Sequence, residues 1–517
     1  MRDWVRSPPQ RGDPPDGRGA GGVGRCMAAM PCVRCVLRWA RVERPPRGRW
    51  EESVMQSYDL AILGGGPAAF TAAGIAQERG ARTLIIEERQ PGGVCPNRGC
   101  MPSKRLISEA RRYAHARRHA ARFGGHDPAP PPMQRLVEEK DDLVRRSRAA
   151  HVRSVERSGR IELLSGRGRL VGRGRIAIGS QEIDATRILI ATGASPLIPA
   201  ISGLAETPHL TSEMLGTEEG LSLRALPRSL VFIGGGYIAC ELGQSLRRLG
   251  AEVAIVEIAD RLLPDQDARI GAALGEAFEE GEGIALHLRS RVTHVSGDAG
   301  EVRVSIEGSE ATREITAERL VVTAGVTPNS RDLGLAEAGV DTDEAGFIRV
   351  DARMRTTAQG IWAAGDVVGP PMATPVANYR AAIAAGDIFD DPPRPPVAEI
   401  AVPRAVFTDP EIGAVGWTAE AARAAGLDVQ VGEADLARTA RGAVEHKPRG
   451  LARLVAEAGT LRLLGAQLCC PRAAEIVQLA AAAVASQWTV ANLQQHVYVY
   501  PTFTEILRDA AGRVGKD

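Results

Sequence analysis

The sequence is poor in aromatic residues: six Trp, six Tyr and eight Phe make up 4% of its 517 residues. We therefore expect hydrophobic cores built mainly from Ala, Val, Leu and Ile. No stretch reaches the roughly 18 apolar residues that a membrane-spanning helix needs. The Arg-rich N-terminus also lacks the continuous apolar segment of a secretory signal, because Pro31 and Arg34 interrupt its best stretch. The sequence thus predicts neither a membrane span nor secretion.

The chain also lacks a large net charge. Its formal net charge of +1 argues against a dedicated nucleic-acid binder or a polybasic membrane binder. Residues 1–54 nevertheless carry eleven Arg, no Lys and six acidic residues, net +5, so the remaining chain must carry −4. This segment is rich in Gly, Pro and Arg and has no helical or strand periodicity. It is predicted either to be disordered or to precede the true start at Met55.

Eight cysteines are too few for a disulfide scaffold in a chain of this length, and without a secretory signal we expect a cytoplasmic protein. Paired cysteines in that compartment indicate redox or metal chemistry. Cys32 and Cys35 form a C-x2-C pair, but no second ligand pair follows, so we predict no metal site. Cys240, Cys469 and Cys470 are interpreted as buried packing residues.

Strand–helix–strand units recur after Met55, which predicts an α/β fold with two Rossmann-like dinucleotide-binding domains. Between the two units, residues 104–158 read as an Arg-rich helical stretch interrupted by the loop DPAPPPM. After roughly residue 400 the pattern changes to strands followed by an Ala-rich helix. The two predicted units comprise Ser57–Leu63, Ala68–Arg79 and Thr83–Glu87, then Ser229–Ile233, Ala239–Leu249 and Glu252–Glu257.

The first unit contains a G-x-G-x-x-A motif directly after its first strand. Gly64 allows a tight turn, Gly66 lets the backbone approach a pyrophosphate, and Ala69 ends the motif. Glu87 ends the second strand 23 residues after Gly64, where a carboxylate accepts hydrogen bonds from ribose hydroxyls. Strand, glycines, helix and acid in register predict a dinucleotide site.

The second unit repeats the motif with Gly234, Gly236 and Ala239, and Glu257 again lies 23 residues after the first glycine. Two such motifs imply two dinucleotides. A 2′-phosphate about 4 Å from a carboxylate costs about 4 kcal/mol at an effective dielectric near 20. Because no arginine follows Glu257 until Arg261, the sequence favours NADH over NADPH.

The segment GGVCPNRGCMPSK lies between the two motifs. Four residues separate Cys95 from Cys100, which is close enough for a disulfide if the segment forms a distorted helical turn. The alternative interpretation is a pair of small buried thiols. A helix N-terminus and a nearby cation such as Lys104 would raise the fraction of the reactive thiolate.

From about residue 56 to 511 the chain resembles the class I flavin-dependent pyridine nucleotide–disulfide oxidoreductases. This family includes dihydrolipoamide dehydrogenase, glutathione reductase and mercuric reductase. The C-x4-C spacing differs from the C-x2-C pair of bacterial-type thioredoxin reductases. Supporting strings are ATGASPLIPAISG at 191–203, TAGVTPNSRDLGL at 323–335, GIWAAGDVVG at 360–369 and VFTDPEIGAVGWT at 406–418.

The resemblance implies roles for individual residues. Cys100 would be the thiol nearer the flavin, and Cys95 the thiol that attacks substrate. Lys104 and Glu241 would form an ion pair beside flavin N5, and electrons would pass from NADH through FAD to the Cys95–Cys100 disulfide. The implied FAD residues are Gly64, Gly66, Ala69, Glu87, Lys104, Thr192, Gly193 and Asp366. The implied NAD residues are Gly234, Gly236, Ala239, Glu257 and Gly325.

The resemblance also implies a homodimer with composite active sites and a small-molecule disulfide, protein disulfide or metal ion as acceptor. No nucleic-acid or membrane partner is expected. The predicted segments are 1–54 (N-terminal extension), 55–205 (first part of the FAD-binding domain), 206–330 (NAD-binding domain), 331–400 (central FAD-binding segment) and 401–517 (α+β dimerisation domain).

The C-terminal signature departs from the family pattern H-P-T-x-x-E, since Tyr500 stands where the acid–base histidine is expected. Glu505 is retained and would orient Tyr500. Tyrosine, with an ordinary pKa near 10, is a poor general base at neutral pH. His496 is the alternative base. Mercuric reductases also use a tyrosine near this point but end in a vicinal cysteine pair, whereas Cys470 is the last cysteine here. Mercuric reductase, dihydrolipoamide dehydrogenase and a non-turnover flavin redox sensor therefore remain alternatives.

Overall fold

The glycine motif Gly64–Gly66 leads from the first buried strand into the first long helix, as the sequence predicts. The computed structural model describes residues 57–516 except 173, 218–221, 309–311, 393, 396–397 and 447. The predictions for residues 1–54, including the Cys32–Cys35 pair, lie outside this part of the chain. The first elements are strands β1 (Ser57–Tyr58), β2 (Leu60–Leu63), β3 (Thr83–Glu87), β4 (Ile161–Ser165), β5 (Gly168–Leu170), β6 (Arg175–Ile178), β7 (Gln181–Ala185), β8 (Ile188–Ile190) and β9 (Ala194–Pro196), and helices α1 (Pro67–Glu78), α2 (Val94–Asn97), α3 (Cys100–Phe123) and α4 (Met133–Ser158).

The second nucleotide-binding unit repeats the β-α-β arrangement. Its elements are β10 (Leu210–Thr211), β11 (Ser229–Ile233), α5 (Tyr237–Leu249), β12 (Glu252–Val256), α6 (Ala268–Glu276), β13 (Ala285–His287), β14 (Arg291–Gly297), β15 (Val302–Glu307), β16 (Thr312–Ala317) and β17 (Arg319–Val322). A π-helical turn, Ala277–Glu282, extends α6. Five strands form a parallel sheet in the order β10-β17-β11-β12-β13, and β14, β15 and β16 form a separate antiparallel sheet.

The chain then returns to complete the first unit with β18 (Val326–Pro328), α7 (Leu335–Ala338), β19 (Ile361–Ala363), the 3-10 turn Asp366–Val368 and α8 (Thr374–Ile388). The parallel sheet has the strand order β19-β8-β2-β3-β4, so the strand order reverses between β2 and β8. Ligands of doubly wound sheets bind at the carboxyl end of such a reversal. The glycine turn at Gly64 directly follows β2, so it lies at the carboxyl end of this reversal.

The C-terminal unit is α+β. Its elements are β20 (Arg404–Val406), β21 (Glu411–Gly416), α9 (Ala419–Ala424), β22 (Val429–Asp435), α10 (Ala440–Val444), β23 (Leu451–Glu457), β24 (Leu463–Cys470), α11 (Ala473–Ala485), α12 (Val490–Gln495) and α13 (Glu505–Ala511), with 3-10 turns at Glu399–Ala401 and Leu436–Arg438. Five antiparallel strands in the order β20-β21-β24-β23-β22 pack against the Ala-rich helix α11. The predicted fold class is confirmed, and the domain boundaries stay predictions.

The cores consist mainly of aliphatic side chains and alanine, in agreement with the low aromatic content. On α1, every third or fourth residue is a buried alanine, and this face packs against α8. Small side chains allow the two helices to lie close together and close to the sheet. Tyr58, Phe232 and Phe278 are the largest side chains that are fully or almost fully buried.

Candidate active site

The first glycine motif forms a tight turn that only glycine fits. Gly64 has a φ of +101°, and a Cβ on it would lie 2.3 Å from the carbonyl oxygen of Ala191. The amide of Gly65 donates to Oε2 of Glu87 at 2.6 Å, and the amide of Arg89 donates to Oε1 at 2.7 Å. The predicted ribose carboxylate is therefore held against the glycine turn by two backbone hydrogen bonds.

The second motif has the same geometry. Gly234 has a φ of +100°, and a Cβ there would lie 2.7 Å from the carbonyl oxygen of Thr323. Oε2 of Glu257 accepts from the amide of Gly235 at 2.6 Å, and Oε1 accepts from the amide of Ala259 at 2.8 Å. The internal duplication expected from the sequence thus extends to individual hydrogen bonds.

One elongated cavity of about 840 Å³ runs from the first glycine turn to the two cysteines. Its volume lies in the range of pockets that enclose organic ligands. The predicted residues that line it are Gly64, Gly66, Glu87, Cys95, Cys100, Lys104, Thr192, Gly193, Glu241 and Asp366.

The remaining predicted cofactor residues lie elsewhere. Ala69 and Ala239 are fully buried beneath their glycine turns, so they act in packing rather than on the cavity wall. Gly234, Gly236 and Glu257 surround the second turn. Gly325 directly precedes β18, has a φ of +118° and accepts from the amide of Leu197 at 2.9 Å.

The cavity fits a flavin dinucleotide. A Cβ on Gly66 would meet nothing closer than Gly93 Cα at 4.0 Å, so the backbone at the start of α1 is open to a close ligand. The helix N-terminus there favours an anionic pyrophosphate. Farther along the cavity, burial raises the pKa of Asp366, against the positive charge of Arg380. A ribitol hydroxyl would give this half-buried carboxyl a hydrogen-bonding partner.

The two cysteines lie on adjoining helical segments and are present as free thiols. Cys95 belongs to the single turn of α2, and Cys100 is the first residue of the 24-residue α3. Their thiols are hydrogen-bonded to each other, and the Thr374 side chain also contacts both. Arg98 and Gly99 separate the two helices, and the two thiols meet across this break.

Their mutual hydrogen bond separates the acidities of the two thiols. It lowers the pKa of Cys95 to about 6, with further help from Thr374 and Lys104 and against the effect of burial. The same hydrogen bond, together with burial, raises the pKa of Cys100. The reduced pair thus retains one shared proton and exposes one thiolate near neutral pH.

Lys104 and Glu241 form an ion pair across two helices. Nζ of Lys104, one turn after Cys100 on α3, lies 2.8 Å from Oε2 of Glu241 on α5. Glu241 is only 3% exposed, and its Oε1 accepts from the amide of Phe407 at 2.9 Å. The pairing implied by the family resemblance is present, and both side chains face the cavity.

Tyr500 lies away from this cavity and is 70% exposed. Within the described part of the chain, Glu505 accepts from the amide of Thr502 at 2.9 Å and from Arg508 at 3.0 Å, so the idea that it orients Tyr500 has no hydrogen bond to support it. His496 is exposed and packs edge-on against Tyr498, with 5.1 Å between the ring centroids.

Two residues that sequence reasoning missed hold the cysteine segment. Asn97 is fully buried; its Nδ2 donates to the carbonyl oxygens of Pro91 and Gly93, and its Oδ1 accepts from Arg148 at 2.9 Å. Thr374 begins α8, more than 270 residues after the cysteines, and only the fold brings it there. Asn97 lies between the two cysteines in CPNRGC, whereas nothing in the local sequence connects Thr374 with them.

The other described cysteines are packing residues, as expected. Cys240 on α5 and the Cys469–Cys470 pair on β24 are at most 1% exposed. Burial raises the pKa of Cys469 to about 12, which keeps this thiol protonated and unreactive. Among the described helices, none is long and apolar enough to cross a membrane.

Comparison with known proteins places this architecture in a family. Residues 58–381 match the pyridine nucleotide-disulphide oxidoreductase family, and residues 402–511 match its dimerisation domain. The dimerisation domain supports a homodimer.

Individual relatives cover most of the chain. A mercuric reductase from Bacillus cereus is 35% identical over 89% of this chain and 72% of its own length. A dihydrolipoyl dehydrogenase from Thermus scotoductus is 32% identical over 89% of this chain and 98% of its own length.

Solved structures agree with these matches. The Cu(II) complex of the HOCl-induced flavoprotein disulfide reductase RclA from Escherichia coli has a TM-score of 0.78 at 27% identity, covering 89% of this chain and 99% of that one. LpdA from Mycobacterium tuberculosis has a TM-score of 0.75 at 27% identity, covering 88% and 99%. The chain therefore belongs to the pyridine nucleotide-disulphide oxidoreductases, enzymes that bind FAD and NAD(P)H and act on sulfur groups of their donors.

Proposed function

We propose that this enzyme is an NADH-dependent disulfide reductase that uses Cys95 and Cys100 as its redox pair. The observation that supports the proposal most directly is the position of the pair. Both thiols and the Lys104–Glu241 ion pair line the cavity that begins at the first glycine turn. A dinucleotide bound at that turn would extend toward the thiols.

The thiol chemistry follows from the two acidities. The Cys95 thiolate attacks one sulfur of the acceptor disulfide, forming a mixed disulfide and releasing one acceptor thiolate. Cys100 then loses its proton and attacks the Cys95 sulfur, which re-forms the Cys95–Cys100 disulfide and releases the second acceptor thiol. FAD, when bound, supplies the two electrons from NADH that reduce this disulfide again.

The preference for NADH is supported by the surroundings of Glu257. Its carboxylate is 7% exposed and is fixed by two amides, so it cannot move away from a 2′-phosphate. The nearest following cation, Arg261, is already paired with Asp260 at 3.0 Å and with Glu420 at 3.4 Å. We expect kcat/KM for NADH to exceed that for NADPH by at least about a hundredfold, and equal values would refute the preference.

An anaerobic NADH titration tests the proposed function. In wild-type enzyme loaded with FAD, NADH should produce the long-wavelength absorbance that a thiolate beside oxidised flavin gives. Because the reduced pair shares one proton, the thiolate would lie on Cys100 when oxidised flavin is beside it. Cys100→Ser should therefore abolish this absorbance, whereas Cys95→Ser, which cannot form the disulfide, should show it before NADH is added. Flavin bleaching without such a band in the wild type would refute the proposal.

Reduction of Hg(II) is a second candidate function, favoured by Tyr500 and by the relative named mercuric reductase. NADH oxidation that depends on Hg(II) in the presence of excess thiol would support mercuric reductase activity. Position 500 does not support dihydrolipoamide dehydrogenase activity, because a tyrosine stands there in place of the expected acid–base histidine. Rapid oxidation of dihydrolipoamide with NAD would overturn that judgement. A flavin redox sensor would reduce none of these acceptors yet bind a partner in a redox-dependent way.

The proposed assembly is a homodimer in which Tyr500 of one subunit reaches the cysteines of the other. The exposure of Tyr500 and of the neighbouring Val497 and Val499 in the single chain supports this arrangement.

We propose a cytoplasmic location because the described cysteines are all free thiols, including the adjacent Cys469 and Cys470.

A further inference from the structure

One face of α5 carries three buried polar residues that all bind the same short segment of the C-terminal unit. Glu241, Gln244 and Arg248 are 3%, 3% and 9% exposed. Their spacing of three and four residues places them in one row along the helix. Each contacts the segment Phe407–Asp409, which joins β20 to β21.

Phe407 contacts both members of the Lys104–Glu241 ion pair. Its amide donates to Oε1 of Glu241 at 2.9 Å, and its ring centroid lies 4.8 Å from Nζ of Lys104. An aromatic face at this distance attracts an ammonium group. The position of Phe407 therefore restricts the carboxylate and the ammonium together.

Gln244 and Arg248 hold the other end of the segment. The Gln244 amide group makes two hydrogen bonds with the backbone of Asp409, one to its carbonyl oxygen and one from its amide, each 2.8 Å long. Nη2 of Arg248 lies 2.9 Å from Oδ2 of Asp409. Arg248 also pairs with Glu282, which accepts from Gln244 at 3.0 Å as well.

Helix α3 holds the segment from the opposite side. Arg111 donates to the carbonyl oxygens of Phe407 and Thr408 at 3.3 and 3.1 Å, and Arg118 lies 3.4 Å from Asp409. Burial opposes the charge of Asp409, yet the nearby positive charge of Arg248 lowers its pKa. The carboxylate is thus ionised and fixed between α3, which carries Lys104, and α5, which carries Glu241.

We infer that Gln244, Arg248 and Asp409 are positioning residues for Lys104, acting through the Phe407 contacts with Lys104 and Glu241. This inference rests on the proposed role of Lys104 beside the flavin. Without the Arg248–Asp409 pair, the segment loses one of the contacts that fix it. Phe407, which contacts both Glu241 and Lys104, is then held less firmly. The ammonium group then occupies a range of positions.

Arg248→Met and Asp409→Asn test the inference, with Arg247→Met as the matched control. Arg247 is the preceding residue on α5, and its Nε donates to the carbonyl oxygen of Glu282. Within the described part of the chain it makes no hydrogen bond or ion pair with Phe407–Asp409. We expect the two test variants to slow flavin reduction by NADH about tenfold to a hundredfold, since small misplacements of reacting groups have effects of this size. KM for NADH should stay within about twofold, and Arg248→Lys should recover part of the rate.

The absorbance spectrum of bound flavin gives a readout that a purely structural role would not move. Both test variants should shift the visible absorbance maxima, whereas the control should keep the wild-type spectrum. Phe407→Leu keeps an apolar side chain and the amide donor, and it should produce the same shift if the ring holds Lys104. This variant also serves if Arg248→Met fails to fold.

Wild-type spectra and rates in Arg248→Met, Asp409→Asn and Phe407→Leu would overturn the inference. A change of equal size in Arg247→Met would also overturn it, because the effect would then be general to α5. Failure of the proposed function is distinguishable, since wild-type enzyme would then show no thiolate band with NADH whatever the variants do.

Discussion

Cys95 owes its low pKa to a few neighbours rather than to its own chemistry. The hydrogen bond with Cys100 has the largest effect on its pKa, and Thr374 and Lys104 add to it, although burial acts in the opposite direction. Because its pKa falls to about 6, the thiolate is present above that pH and is lost as the pH falls through it.

The rate of alkylation of reduced Cys95 by iodoacetamide should therefore rise with pH with a midpoint near 6. Lys104→Met should move the midpoint upward, because the ammonium charge lowers the pKa of Cys95. Arg105→Met is the matched control, since Arg105 pairs with Glu109 and Glu139. A midpoint close to the ordinary thiol pKa of about 8.5 in the wild type would contradict this account.

At the scale of elements, local sequence patterns determined some boundaries and not others. Thr83–Glu87 and Ser229–Ile233 have the predicted bounds, because each is an apolar run that ends at a charged residue or a glycine. The predicted strand Ser57–Leu63 is divided: β1 pairs with β7, whereas β2 pairs with β3 and β8. The division at Asp59 depends on strands far along the chain, so no local pattern could show it.

The same distinction applies to the candidate site. The glycine turns, the glutamates and the cysteine pair are local motifs. The sequence therefore predicted which glutamate accompanies each turn and which two cysteines form the pair. Thr374 and the Phe407–Asp409 segment reach the site only because the chain returns to it after forming the second β-α-β unit. Their contacts involve ordinary residue types at large sequence separation, which single-sequence patterns do not reveal.

The glycine turns give a prediction at this scale. A methyl group on Gly234 would meet Thr323 at 2.7 Å at a φ of +100°, whereas one on Gly236 would meet nothing within 4 Å. We expect Gly234→Ala to lower the free energy of unfolding by more than about 2 kcal/mol. Gly236→Ala should change it by less than about 0.5 kcal/mol, yet raise KM for NADH.

Thermal unfolding of the two variants measures the predicted changes in stability, and steady-state kinetics measures KM for NADH. Only Gly236→Ala tests the proposed pyrophosphate contact without disturbing the fold, because its methyl group would project into open space. An unchanged KM for NADH in this variant would mean that the dinucleotide does not approach the second turn closely.

At the scale of the whole molecule, the single chain leaves its C-terminal signature exposed. Val497 and Val499 are 90% and 78% exposed, and Tyr500 lies away from the cavity that holds Cys95. Exposed apolar residues grouped in this way mark an interaction surface. The dimerisation domain and this surface together support a site completed by the second subunit.

Mixed dimers test that arrangement. We expect Cys95→Ser and Tyr500→Ala homodimers to be poorly active, whereas a heterodimer of the two variants should recover about half of the wild-type rate. The recovery follows because one of its two sites combines an intact Cys95 with an intact Tyr500 from the other subunit. A heterodimer no more active than its parents, or a fully active Tyr500→Ala homodimer, would contradict the composite site.

The central claim is that electrons from NADH reach Cys95 and Cys100, and anaerobic differential alkylation measures this most directly. Oxidised holoenzyme is treated with NADH, alkylated and analysed by mass spectrometry, with Cys469 and Cys470 as buried internal controls. The account predicts that Cys95 and Cys100 become alkylated only after NADH is added, while the two controls stay unmodified. Reduction of the flavin with Cys95 and Cys100 still joined in a disulfide would contradict it.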